Sequence, residues 1–472
     1  MLIVGSVLGS GSRMLSIDSD LGRHLTIGNY ILDHRSIPTH DLFSHTLTDQ
    51  SRPPYEWLSQ IFFAISYRLL HLDGVILLTA IIIGITTLLI FQHSKHRSKS
   101  PLIALVITLI SAAATSIHWL PRPHIFTFLL LAIWIDKLEQ LRKEEKPSVY
   151  VFLLIMLFWA NLHGGFVFGF LAWGAYLAGW LWDNRRAKAN IQTGKSFFLT
   201  GILSLAASFI TPDLWRNWEA VLNNRSAFIL SRTAETMPPD FFNPANSPYA
   251  ILLVLVVIFA LMNRRSLSAS HVLLLGGLVL MSLLMARNIP LFAIACTPIL
   301  AEWISGKLSL STRWVNLEKR FANLSTPNRW YVAPLITVIV AFGYFAYNQS
   351  NNKTSFQFNP QVFPVQAVDW IESNQIEGRM FNDFNWGGYL LYRLWPQHQV
   401  FLDSQSDFYG EPLMREYESI SIARGNWKDL FVKYQIMWAI IPFNSPLAKA
   451  LATDSDWKSV YQDSVAIIFI RR

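Results

Sequence analysis

The segment GVILLTAIIIGITTLLIFQ, residues 74–92, is followed nine residues later by PLIALVITLISAAATSI, residues 101–117. The first carries no charge over nineteen residues, close to the roughly 20 that a spanning helix needs. Further apolar runs follow at 124–135, 149–160, 166–182, 196–210, 249–262, 271–285, 289–304 and 332–347. Backbone in lipid must satisfy its own hydrogen bonds, so such a series reads as an α-helical polytopic bundle. The whole chain agrees: of 472 residues 52% are hydrophobic and only 15% charged. Soluble chains carry about 25% charged residues, so a water-soluble enzyme is excluded. One cysteine, Cys296, excludes an intrachain disulfide and a cysteine-based zinc site.

The net charge of +8 falls in alternate loops. One set holds Lys95, Arg97, Lys99, Lys137, Arg142, Lys143, Lys146, Arg185, Arg186, Lys188, Lys195, Arg264, Arg265, Lys307, Arg313, Lys319, Arg320 and Arg329. The positive-inside rule places these in the cytoplasm and the intervening loops outside, so the excess is topological and implies no nucleic-acid partner. Met1–Gly11 is apolar but short, and no charged n-region marks it as a cleaved signal peptide. Residues 55–72 include Glu56, Gln60, Arg68 and His71 and read as a juxtamembrane helix. The expected count is about eleven spans, with loop 15–54 and the tail sharing the outer face.

The expected organisation is a transmembrane domain over 1–348 and an extracytoplasmic α/β domain over 349–472. In that tail, 379–383, 399–404, 435–443 and 464–472 read as strands, and 386–395, 411–422 and 446–453 as helices. Asp383, Trp386, Gly387-Gly388, Asp403, Asp407 and Tyr409 lie at predicted strand ends, where α/β domains bind ligands. The alternative is that these acids cap the helices that follow.

Polar residues in a sparse-charge membrane chain are costly and therefore informative. The outer-face set comprises Asp18, Asp20, His24, Asp41 and Glu56 near the start, then Arg122 and His124 in PRPH. It continues with Asn161 and His163 in NLHGG, Glu235 and Asp240 in the long outer loop, and Arg287 and Asn288 in ARNIP. Arginine and histidine at helix ends suit a phosphate or diphosphate. Nearby carboxylates suit a general base or a divalent cation. The plain readings are solvated acids, arginines snorkelling to headgroups, and a His163 that caps a tight helical hairpin.

The linked motifs SDLGRHLTIGNYILDHRSIPTHDLFSHT (19–46), YEWLSQ (55–60), PRPHIFT (121–127), NLHGGF (161–166) and ARNIPLF (286–292) span most of the chain. Together with NDFNWGGYLLYRL (382–394) and VFLDSQSDFYG (400–410), they resemble bacterial membrane glycosyltransferases of the GT-C type. The likeness is to the protein O-mannosyltransferase and aminoarabinose transferase group. It implies transfer of a sugar from a polyprenyl-phosphate carrier to a lipid, glycan or protein acceptor, on the outer face of the cytoplasmic membrane. It also implies a catalytic acid in the first outer loop, a position that matches Asp20, with Asp18 beside it. His24, Asp41, Glu56, Arg122, His124, His163, Arg287 and Asn288 are the expected substrate-binding residues. No cofactor follows from the resemblance, and since some members use a divalent metal and others do not, that point is left open. Two departures from the pattern are the short first helix and Gly22-Arg23, where bulky aromatics are expected. Competing classes are a lipid-linked saccharide transporter, which would show repeats and broken helices at mid-membrane, and a non-catalytic scaffold displaying the tail.

Overall fold

The computed structural model describes residues 1–145, 147–185, 190–223, 226–308, 311–312, 314, 316–318, 332–351 and 353–472. Lys146, Arg186, Lys188, Arg313, Lys319, Arg320 and Arg329, all assigned above to cytoplasmic loops, lie outside the described residues. Each of the ten apolar runs forms a helix. They are Trp57–Ser98, Pro101–Thr115, His124–Arg142, Val149–Leu162, Val167–Asp183, Ile191–Ser208, Ser247–Met262, Ala269–Leu284, Ile289–Leu308 and Val332–Ser350. Among the described residues five helical stretches are long and apolar enough to cross a membrane, with two shorter apolar helices at Val149–Leu162 and Ala269–Leu284. The chain is a multi-pass α-helical membrane protein with a small C-terminal sheet. Near the start of the chain, Leu2–Gly9 forms a helix of only 8 residues.

The Trp57–Ser98 helix is interrupted at Leu70 and His71, whose backbone leaves helical geometry. The expected 55–72 helix is therefore a separate piece, broken from the apolar run behind it. Asp73, just beyond the break, accepts the backbone N–H groups of Ser355 and Phe356.

The chain divides into two compact units. The first comprises Met1–Leu8, Leu77–Leu214 and Thr233–Tyr344, and holds most of the apolar helices. Within it Val149–Leu162 packs on Ile191–Ser208, Val167–Asp183 on Ala269–Leu284, and Pro101–Thr115 on Ile289–Leu308. A buried ionic network ties five of its helices. Glu139 receives Tyr176 Oη at 3.1 Å, lies 3.0 Å from His271 Nε2 and pairs with Arg142 at 2.6 Å. Arg97 lies between Glu139 (3.5 Å) and Glu302 (2.6 Å). Arg97 and Arg142, counted above as loop charges, are thus partly structural.

The second unit comprises Gly9–Ile76, Trp215–Arg232 and Phe345–Arg472. The expected boundary is at 348/349; here the stretch from Phe345 onward shares its unit with residues 9–76 and 215–232. The tail sheet has the order β1-β2-β4-β3, with β1 Arg379–Asn382, β2 Ile436–Pro442, β3 Trp457–Gln462 and β4 Ala466–Arg471. β1 and β2 are parallel and the other pairs antiparallel. The VFLDS stretch, expected as a strand, is not one. Val400 instead bridges Ser44 of the first loop, giving its N–H to Phe43 and accepting from His45. The missed strand β3 is a largely exposed edge, too polar to show an apolar pattern.

Two glycine contacts set the Asp20–His34 helix in place. A Cβ on Gly22 would collide with the Gly388 carbonyl, one on Gly388 with the Ser19 carbonyl, and one on Gly28 with the Gln60 carbonyl. The helix is crossed at backbone distance by Gly387–Leu394 on one side and by the 57–70 helix on another. The departure at Gly22-Arg23 has its reason here, since an aromatic at position 22 would displace the tail helix. Gly388→Ala is expected to cost about 1–3 kcal/mol by overpacking. It should lower the thermal unfolding midpoint and expose the tail to trypsin, whereas Gly174→Ala, with open space around its Cα, should leave both unchanged.

Candidate active site

The polar residues of the first loop and the tail meet inside the second unit. Residues 39–52 close on themselves: Arg52 N–H donates to the Thr39 carbonyl and Asp41 N–H to the Gln50 carbonyl, both at 2.8 Å. This brings Arg52 beside Asp41. The Arg52 side chain, 6% exposed, donates through Nη1 to Asp41 at 2.7 Å and through Nη2 to Asp403 at 2.8 Å, and both carboxylates are fully buried. Its Nε and Nη2 also reach Gln405 Oε1, at 3.1 and 2.7 Å. The guanidinium lies 4.6 Å from the Phe408 ring centre. Asp41 in addition accepts the N–H groups of Phe43 and Ser44, so its oxygens are turned into the loop.

Burial by itself would push the Asp403 carboxyl up. The Arg52 and Arg23 guanidiniums overcome that and hold it below its ordinary value. Asp403 also caps the following segment through the Gln405 N–H at 2.8 Å. Four residues on, Asp407 differs: burial raises its carboxyl above the usual range, against the opposing pull of Arg23 and the Tyr55 hydroxyl. Tyr55 donates to Asp407 at 3.2 Å, and burial, with Asp407 and Glu56 alongside, keeps the phenol protonated.

Asp20 begins the Asp20–His34 helix, where a carboxylate is favoured by the helix dipole. Its N–H donates to Asp18 Oδ1 at 2.8 Å, so Asp18 turns the chain into the helix. Ser404 Oγ donates to Asp20 Oδ1. Arg23, one turn on, lies 3.8 Å from Asp20 and 3.8 Å from Glu56, and His24 lies 3.9 Å from Glu56. Arg23 Nη1 donates to Gln405 Oε1 at 3.0 Å. Arg23, Arg52, Tyr55, Glu56, Gln60 and Gln405 line a narrow cleft, walled by Pro38, Pro53 and Pro54.

The predicted set thus separates. Asp18, Asp20, His24, Asp41 and Glu56 lie in the second unit, while Arg122, His124, His163, Arg287 and Asn288 lie in the first. In the first unit Arg122 pairs with Glu235 at 3.2 Å. His124 Nε2–H donates to the His118 carbonyl at 2.7 Å. His163 Nδ1 receives the Gly165 N–H and lies 2.8 Å from the Thr127 hydroxyl, which makes it the cap of the 164–166 turn. The His118, His124 and His163 rings form a row, 6.0 and 6.5 Å apart. Asn288 donates to the Met281 carbonyl and Asn161 to those of Leu157 and Ile210. Arg287 is exposed. In the tail Asp383 caps the turn that follows it, and Trp386 donates to the Val362 carbonyl.

Sequence reading passed over Arg52, Tyr55, Ser404 and Gln405, and took Arg23 only as a departure from pattern. The available signals were an arginine locked before two prolines in SRPPYE and a polar SQS between two aspartates. Among the described residues no group of three or more His, Cys, Asp or Glu side chains is arranged to hold a metal ion.

Neither a protein-family model nor a curated protein matches the sequence. Solved structures do match the fold. The apo oligosaccharyltransferase of Archaeoglobus fulgidus is 12% identical, with a TM-score of 0.61 over 93% of this chain and 69% of that one. The oligosaccharyltransferase AglB of the same organism, in complex with an inhibitory peptide and a dolichol-phosphate, is 11% identical, with a TM-score of 0.59 over the same shares. ArnT from Cupriavidus metallidurans, bound to undecaprenyl phosphate, is 12% identical, with a TM-score of 0.54 over 99% of this chain and 97% of that one. The fold is that of the GT-C membrane glycosyltransferases, as the motif resemblance implied.

Two outcomes follow from the ion pairs. Arg52→Met strands Asp41 and Asp403 as buried charges and should cost about 3–5 kcal/mol in unfolding free energy. Because Asp403 is held low, its stabilisation is full above the ordinary carboxylate range near pH 4 and is lost as pH falls below it. A pH series of melts should therefore converge for wild type and Arg52→Met in acid. Asp407 has the opposite sign, since its raised carboxyl costs stability wherever it is ionised. Asp407→Asn should raise the melting midpoint at pH 7–8 and leave it unchanged below about pH 4.

Proposed function

We propose that this protein is a glycosyltransferase of the bacterial cytoplasmic membrane. It takes a sugar from a polyprenyl-phosphate carrier and passes it to an acceptor on the outer face. The observation that carries the reading is the Asp20 carboxylate, seated at a helix start, bonded by Ser404 and flanked by Arg23. Arg23 lines a cleft whose other polar groups include Glu56 and Gln60. The GT-C fold supports it.

Asp20 is the base. It removes the proton of the acceptor hydroxyl as that oxygen bonds to the anomeric carbon. The bond from the anomeric carbon to the phosphate oxygen breaks, and polyprenyl phosphate leaves with the electron pair. Glu56 and His24, 3.9 Å apart, supply acceptors and donors for sugar hydroxyls. Burial of Arg23 at 5% exposure makes its charge strong there. Of the carrier-phosphate candidates in the first unit, Arg287 is exposed, and Arg122, His124 and His163 each bond a neighbour. Lipid, glycan and protein acceptors all fit the chemistry. The basic helix ends face the cytoplasm in this reading, and the tail lies outside.

The test is mass spectrometry of surface glycans and glycolipids from a deletion strain. One sugar should be missing, restored by the wild-type gene and not by Asp20→Asn expressed at the same level. Full restoration by Asp20→Asn would sink the assignment of the base.

A further inference from the structure

The residues that touch Asp20 and Arg23 from the tail are consecutive, Ser404 and Gln405, and each bonds a different member of the pair. Ser404 Oγ–H donates to Asp20 Oδ1. Gln405 Oε1 accepts from Arg23 Nη1 at 3.0 Å and from Arg52 Nε and Nη2 at 3.1 and 2.7 Å. One amide oxygen thus joins two guanidiniums that would otherwise repel. Gln405 is itself oriented, by its N–H on Asp403 Oδ1 at 2.8 Å and by Nε2 donating to Tyr55 Oη at 3.3 Å. Asp403 is in turn fixed by Arg52 and by its own N–H on the Tyr409 hydroxyl at 3.1 Å. The chain of contacts runs from a fully buried ion pair to the two side chains assigned to the chemistry.

One nitrogen of Arg23 has no hydrogen bond at all. Its Nε–H is buried and has no hydrogen-bond partner among the described residues. A buried cationic donor without a partner is costly, and native proteins keep few of them outside sites that await a ligand. Gln405 takes Arg23 through Nη1, so the fork is held while Nε remains.

We infer that Ser404 and Gln405 are positioning residues for the transfer, Ser404 setting the Asp20 carboxylate and Gln405 setting Arg23 so that Nε donates to an oxygen of the sugar substrate. This rests on the proposed transferase reading. It assigns the tail a part in the reaction itself: the tail is neither a spacer nor a separate binding module. A serine that orients the base acts in the transition state, and its loss lowers kcat and kcat/KM together. A glutamine that orients a substrate ligand acts on binding and raises KM.

The experiment uses full-length protein with detergent-solubilised membranes of the deletion strain, which supply donor and acceptor together, and follows release of free polyprenyl phosphate. Ser404→Ala should lower kcat about 10–100-fold, the scale of a misplaced catalytic group, with KM unchanged, and Ser404→Thr should recover most of it. Gln405→Ala should raise KM about 10-fold, while Gln405→Glu, which still accepts from both arginines, should raise it less. A merely structural role predicts lower melting midpoints with normal kcat and KM per folded molecule, and that result would overturn the inference. If wild type is active and both alanine variants match it, the inference alone fails. If wild type is inactive and also fails to restore the deletion strain, the transferase reading fails with it.

Discussion

Arg52 is the residue on which the second unit depends. It brings together a carboxylate from the first loop and one from the tail, positions 41 and 403, in a core where both acids are fully buried. A buried charge is tolerated only when paired and hydrogen-bonded, and each member of this trio is. The consequence is that the loop and the tail fold as one body. The bonds of residues 43 and 45 to Val400, and of Thr46 to the Phe401 carbonyl, extend that union along the backbone. The network need not add net stability to specify which loop conformation meets which tail conformation, because any other register would strand a buried charge.

The second constraint is steric. Gly22, Gly28 and Gly388 let three helices approach at backbone distance, and this sets where the first turn of the Asp20–His34 helix stands. Asp20, Arg23 and His24 occupy that turn. Their positions are therefore decided by packing partners about 40 and 370 residues further along the chain, and only their spacing is local. Electrostatics then separates the acids by environment. Asp403, beside two arginines, is held ionised, while Asp407 is pushed toward its neutral form by burial. Acids of one type, four residues apart, are thus given different tasks by what surrounds them.

In the first unit the same logic appears at lower density. Ten apolar runs produce helices because lipid leaves the backbone no other way to satisfy its bonds. Side-chain polarity is concentrated where it is paired, in the Glu139 network and at the helix ends around the three histidines. The basic residues that signal topology include two that are structural. A charge count over loops therefore overstates how many charges meet water at the membrane surface.

Hydropathy alone determined the fold class, since nothing but a helical bundle accommodates those runs, and the motif set was enough to point to the GT-C type. The acids Asp20, Asp41, Glu56, Asp403 and Asp407 were visible because charge is rare in this chain. Their roles were not. That Asp41 faces an arginine and that Asp18 starts a helix are facts of local geometry that a residue's type does not encode, whereas the cap by His163 was among the plain readings of NLHGG. Arg52, Ser404 and Gln405 carried only faint signals, because most of their significance comes from partners more than 350 residues away. The expected strand at 399–404 failed for the same reason: VFLDS has strand composition, but its hydrogen-bond partner is a loop near the start of the chain. The period of apolar residues is a property of the sequence. The pairing of buried charges across 350 residues exists only once the chain has closed on itself, and that pairing is what assembles the site.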